Sequence, residues 1–181
     1  MTPEEYKQLK AFARIDGALL SLVWIGSFAL YISGMEKPTL SLLSIVLIVV
    51  SPFIVARRLR KFRDFAREGI ISFKRGYAYV VLIFFYSGLL FAAAQYVYFA
   101  YMDHGFLLGM IQELLSAPES EPLRQALGMG ETLNESLQLM ASMRPIDYSL
   151  NILTLNILAG FVVGLPIAAL MQKSVNSVNI K

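Results

Sequence analysis

The stretch Arg57–Arg75, RRLRKFRDFAREGIISFKR, carries eight of the chain's sixteen Lys and Arg residues, and long apolar runs flank it on both sides. A segment this cationic does not cross the hydrocarbon core of a bilayer, where a central Arg or Lys costs about 2.5–3.5 kcal/mol. It stays at a wet face and marks its two neighbours as spanning helices. Composition supports this: 56% of residues are hydrophobic and 16% charged, against roughly 25% charged in an average soluble domain. The apolar surplus comes in blocks of about 20 residues, the length that spans a hydrocarbon layer of roughly 30 Å. With no cysteine, the chain has no disulfide, no thiolate nucleophile and no Cys-based metal site.

The fold class expected is all-α, a polytopic membrane protein forming a single membrane domain over residues 1–181. Four transmembrane helices are placed at about 17–35, 39–56, 76–101 and 150–172. A basic cytoplasmic linker, 57–75, contains an amphipathic helix, and a short helical extracytoplasmic segment covers 104–149. The head, MTPEEYKQLKAFARID, has Thr2 as a helix cap, followed by Pro3, Glu4 and Glu5. It is too acidic for a secretory leader, and the apolar run behind it is too long, so the first helix is read as uncleaved. Ala13, Gly17 and Ser21 are spaced by four and give that helix a face of close approach. Pro52 is expected to kink the second helix. In the linker, Leu59, Phe62, Ala66, Ile70 and Phe73 repeat at helical spacing, which suggests a helix lying against the headgroups.

The third helix, at 1.5 Å per residue, reaches about 40 Å and is expected to tilt or project. On it, Gly88 and Ala92 supply small atoms for packing. Asn156, Gly160, Gly164 and Ala168 recur every four residues in the last helix; Gly160-Phe-Val-Val-Gly164 is a pattern that lets two helix backbones touch. That stripe serves either packing inside the chain or a homo-oligomer. Between these helices, Pro118, Pro122 and Gly128 break the 104–149 segment. Thr132 with Glu135 forms a capping-box signature ahead of an apolar stripe at Leu133, Leu137 and Met140. The segment is read as a lid over the bundle or as a surface for a membrane-protein partner.

An even number of spans puts both termini and the linker on one side. That side holds thirteen of the sixteen bases, so the positive-inside rule places it in the cytoplasm. Arg57, Arg58, Arg60, Lys61, Arg63, Arg67, Lys74 and Arg75 are then topology determinants beside lipid headgroups. Membrane lipids are the partner they imply, and not nucleic acid.

The run ARRLRKFRDFAREGIISFKRGYAY, helix 3 ending in YFAYMDHGF, and the final helix NILTLNILAGFVVGLPIAALMQK together resemble the bacterial domain-of-unknown-function family 4199. The resemblance covers nearly the whole chain, most clearly Arg57–Phe106. It implies a small inner-membrane protein with about four spans, and it supplies no activity, cofactor or catalytic residue. Members often carry Pro after the Asp that ends helix 3; His104 stands there in this chain, so that turn departs from the pattern.

Four residues could carry chemistry. Asp103 and His104 could relay protons or bind a metal with help from the loop. As neighbours on a helix, though, they point about 100° apart, which suits a cap and a solvated imidazole better. Asp16 lies where helix 1 enters the membrane and is expected to stay hydrated or to pair with Arg57, Arg58 or Lys173. Gln95, like Asn156, is a buried polar side chain able to line a pathway or to bond another helix. The sequence contains no phosphate loop, metal-ligand cluster, Ser/His/Asp set or intramembrane carboxylate pair. No catalytic residue, metal site or cofactor is assigned. The leading reading is a non-enzymatic accessory, scaffold or assembly component. The alternative is a small oligomeric transporter or channel, and a membrane enzyme ranks third.

Overall fold

The computed structural model of the protein describes residues 2–35, 37–117 and 130–173. Among them six helices follow in order: α1 (Pro3–Gly34), α2 (Pro38–Ala66), α3 (Phe73–Tyr101), α4 (Phe106–Ser116), α5 (Gly130–Ser142) and α6 (Pro145–Met171). Helices α1, α2, α3 and α6 are long and apolar enough to cross a membrane. The expected breaks at Pro118, Pro122 and Gly128, and the side chains of Thr132 and Leu133, lie outside the described residues.

Helix bounds shift from the sequence expectation in a consistent way. Helix α1 begins at Pro3 rather than near Gly17. The Thr2 hydroxyl accepts from the Glu5 amide at 3.3 Å and the Glu5 carboxylate accepts from the Thr2 amide at 2.9 Å. This reciprocal cap starts the helix, and no breaker follows before the apolar run. Helix α2 likewise does not stop near Ala56. It continues through Pro52 to Ala66, so the amphipathic stretch extends a spanning helix instead of lying separately on headgroups. Its apolar stripe packs on protein: Leu59 and Phe62 are 0% and 2% exposed. The helix ends where Glu68 and Gly69 take positive φ angles of 52° and 81°, and the Gly69 amide returns to the Arg63 carbonyl at 3.0 Å. Glycine at such an end avoids the strain a side chain meets in the left-handed region.

Contacts cluster into two units, residues 1–92 with 151–181, and residues 93–150. In the first unit α1 and α2 form an antiparallel pair with a polar seam. The Ser27 hydroxyl donates to the Ser44 carbonyl at 2.9 Å, and the Trp24 indole donates to the Ser51 hydroxyl at 2.9 Å. Within a membrane such bonds spare a polar atom from facing hydrocarbon. Small residues form the seam between α3 and α6. A Cβ on Gly160 would sit 2.6 Å from Phe84 Cβ, one on Gly164 3.1 Å from the Tyr77 ring, one on Gly88 3.0 Å from Asn156 Cβ, and one on Gly76 3.7 Å from Ala168 Cβ. Residue numbers rise along α3 as they fall along α6, so the two run antiparallel, with side chains of one seated against glycines of the other. Gly17 brings α1 against α3 in the same manner, a Cβ there falling 2.7 Å from Tyr86 Cβ. The core gathers Leu9, Leu20, Val55, Leu59, Tyr79 and Ile83, all at most 1% exposed. A two-stranded bridge between Ile71 and Lys173 (3.1 and 3.0 Å) ties the residue pair beyond α2 and α6 together.

In the second unit the ends of α3 and α6 carry Phe99 and Tyr148, whose rings stack at 4.8 Å. The Tyr148 hydroxyl donates to the Met140 carbonyl of α5 at 2.5 Å. Arg144 and Asp147 form a paired cap at the start of α6, with side-chain and backbone bonds of 2.9–3.0 Å.

Candidate functional site

The ionisable groups of the first unit concentrate where the N-terminal half of α1, the basic end of α2 and the start of α3 meet. Asp16, 3% exposed, accepts from the Arg58 guanidinium, with Nε 2.6 Å from Oδ1 and Nη2 on the same oxygen. Its other oxygen accepts from the Tyr79 hydroxyl. Tyr79 is fully buried and lies flat on the Phe62 ring, centroids 4.5 Å apart and planes 9° apart. Isolated, a carboxylate at this depth would be very costly. Here a guanidinium that keeps its proton and a phenol satisfy it, and the group is neutral as a whole. Of the partners the sequence allows Asp16, the fold selects Arg58, the one whose side chain on α2 faces α1.

Further toward the N-terminus Glu5 bridges two arginines. Its Oε1 accepts from Arg67 Nη2 at 2.8 Å and its Oε2 from Arg75 Nη2 at 2.7 Å. One carboxylate thus clips the start of α1 to the end of α2 and the start of α3. The Nε atoms of both arginines are buried without a hydrogen-bond partner among the described residues. Arg63 donates to the Met171 carbonyl at 3.0 Å, capping the last turn of α6, and to Asp64 at 2.7 Å.

These contacts revise the role expected for the basic linker. Arg58, Arg63, Arg67 and Arg75 hold carboxylates or a helix-end carbonyl within the protein. Arg57, Arg60, Lys61 and Lys74 remain exposed. For the bases on α2 the reason is the continuous helix, which at 3.6 residues per turn points one edge of its basic segment at α1 and α6 and the opposite edge outward.

The other candidate residues do not converge. Asp103, 8% exposed, accepts from the Gly105 and Leu107 amides at 3.0 and 3.1 Å and so caps α4. His104 is exposed at a φ of 46°, its Nδ1 3.1 Å from the Met102 carbonyl. The carboxylate and imidazole therefore serve different backbone groups. A cavity of about 200 Å³ beside Asp103 is lined by Phe99, Asp103, Leu107, Leu108, Met140 and Tyr148, among others. Gln95 is 4% exposed, with its Oε1 unpartnered among the described residues. Ala92 is buried on α3, and Gly88 meets Asn156 in the seam described above. Among the described residues no three His, Asp or Glu side chains come together as a metal site would need.

Residues 15–173 match the family described as Protein of unknown function (DUF4199). The chain belongs to this family. No curated protein and no solved structure matches it. The part of the chain shared with DUF4199 begins one residue before Asp16 and ends at Lys173, so the Asp16–Arg58–Tyr79 group and the Ile71–Lys173 bridge lie inside it. Glu5 lies before it.

Sequence reasoning had missed Glu5 and Tyr79. Each carried a signal. Glu5, Leu9, Ala13 and Asp16 recur at spacings of four, four and three, so Glu5 shares the buried face of α1. Tyr79 lies four residues before Ile83 on the buried face of α3.

Proposed function

We propose that this DUF4199 member is a non-enzymatic accessory, scaffold or assembly component of the bacterial inner membrane, multi-pass, with both termini in the cytoplasm. One observation carries the reading: polar groups along the spanning helices of the first unit are closed pairwise within the protein. Ser27 meets Ser44 and Trp24 meets Ser51. Ser87 bonds back to the Ile83 carbonyl at 2.8 Å, and Asp16 is held by Arg58 and Tyr79. A transport route needs such groups turned toward a passing solute; here they are spent on helix contacts. Orientation rests on the base count, thirteen against three, across the wet faces.

A second reading, a small oligomeric transporter or channel, draws on Gln95, whose buried Oε1 has no hydrogen-bond partner among the described residues. Two experiments test the orientation and separate the two readings. The chain has no cysteine, so single cysteines report sidedness directly. His104→Cys is expected to react with an impermeant maleimide in intact spheroplasts, and Lys7→Cys and Lys74→Cys only after the membrane is opened. The opposite pattern rejects the orientation. Proteoliposomes of the full chain are expected to leak ions and small solutes no faster than protein-free vesicles. Flux abolished by Gln95→Leu would replace the scaffold with the transport reading.

A further inference from the structure

We propose that the outward groove on the basic end of α2, beside the last turn of α6, binds the headgroup of one anionic phospholipid. This rests on the membrane reading above but not on which face is cytoplasmic. Four of the eight linker bases are engaged inside the protein, as described. Of the rest, Arg57, Arg60 and Lys61 line a single groove of about 760 Å³ together with Phe65 and Met171. The spacing is that of one helical stripe. Neither Arg57 nor Lys61 has an ion pair among the described residues. Among the described residues Arg60 reaches only Asp64, at 3.9 Å, with its side chain 68% exposed. Asp64 in turn is held by Arg63 at 2.7 Å, so the groove's one acid is already neutralised. Three cations therefore face outward with little to balance them, and the charge they complement is a phosphate.

The apolar part of the groove decides which phosphate. Phe65 is 81% exposed, with Lys61 Nζ 5.8 Å from its ring centre. Moving back along α2, Phe53 is 71% and Val49 60% exposed, and on α6 Leu170 is 78% exposed. A soluble phosphate ester would leave this surface uncovered. A phospholipid covers it with acyl chain while its phosphate meets the bases, the division of labour of amphipathic recognition at a bilayer boundary.

The test uses the full chain in neutral detergent, so it does not depend on sidedness, and its failure leaves the orientation untouched. Phosphatidylglycerol and phosphatidylcholine are titrated in parallel and protein-bound lipid is read by native mass spectrometry. The wild type is expected to prefer phosphatidylglycerol, and the variant R57Q/R60Q/K61Q to lose at least about tenfold of that preference. A charge-matched control, K10Q/R14Q/K74Q, is expected to keep it. Circular dichroism checks that both variants fold; should the triple variant not, Lys61→Gln alone is expected to lose a few-fold. Equal losses in groove and control variants, or no initial preference, overturn the proposal. So does displacement of the lipid by equimolar glycerol phosphate, which would assign the groove to soluble phosphate esters.

Discussion

At the scale of single residues, Asp16 decides most. It is buried and charged, and it is tolerable only because Arg58 and Tyr79 reach it. Removing one partner of such a pair leaves the other charge uncompensated, a loss of about 3–5 kcal/mol. Asp16→Ala is expected to destabilise the protein by that order in a detergent unfolding titration. Tyr79→Phe removes one hydrogen bond to a charged acceptor and is expected to cost about 1.5–3 kcal/mol, with the stack on Phe62 kept. The pair Asp16→Asn with Arg58→Gln is expected to cost less than the sum of its single changes, because the two side chains share one interaction. Additive losses would mean that the contact contributes nothing. That an acid at this depth needs a cation could be read from the sequence. Which cation could not, since Arg57, Arg58 and Lys173 were equivalent until α2 was known to run unbroken past Ala56.

At the scale of elements, two kinds of seam hold the spanning helices of the first unit, and they are expected to respond differently to mutation. Between α3 and α6, side chains of one helix sit against glycines of the other. Gly160→Val drives a branched side chain into Phe84 and is expected to cost about 1–3 kcal/mol or more. Phe84→Ala in the same chain is expected to recover part of that loss, seen as non-additivity in the unfolding midpoints. Between α1 and α2 the seam is polar, and Ser51→Ala removes the hydroxyl that accepts from the Trp24 indole while leaving the Trp24 ring contacts with Phe84 and Phe91 in place. Interhelical bonds in membranes average about 0.6 kcal/mol, so this variant is expected to shift stability little. A loss larger than that of Gly160→Val would reverse the ranking. The every-fourth-residue stripe on α6 was legible because periodicity is local. Its partner was not: the same stripe would serve a second copy of the chain, and only the placement of Phe84 and Tyr77 against Gly160 and Gly164 assigns it to α3.

At the scale of the whole molecule, the basic segment is a junction as well as a topology signal. Glu5 joins α1 to Arg67 at the end of α2 and Arg75 at the start of α3. Glu5→Gln removes the charge that both arginines share. It is expected to speed amide hydrogen exchange several-fold or more in the first turns of α1 and across 67–75. Exchange in the α3–α6 seam is expected to stay unchanged; a uniform increase would make Glu5 a global rather than a local tie. The amino-acid order by itself determined the four spanning helices, the uneven split of bases and the small-residue faces. Each of these depends on residues close in the chain: a run long enough to cross hydrocarbon, a charge too costly to enter it, a repeat of four. Only the tertiary structure decided which bases bond inward and which face outward, and which helix covers the glycine stripe. Those outcomes depend on the rotation and register of one helix against another, set jointly by side chains tens of residues apart.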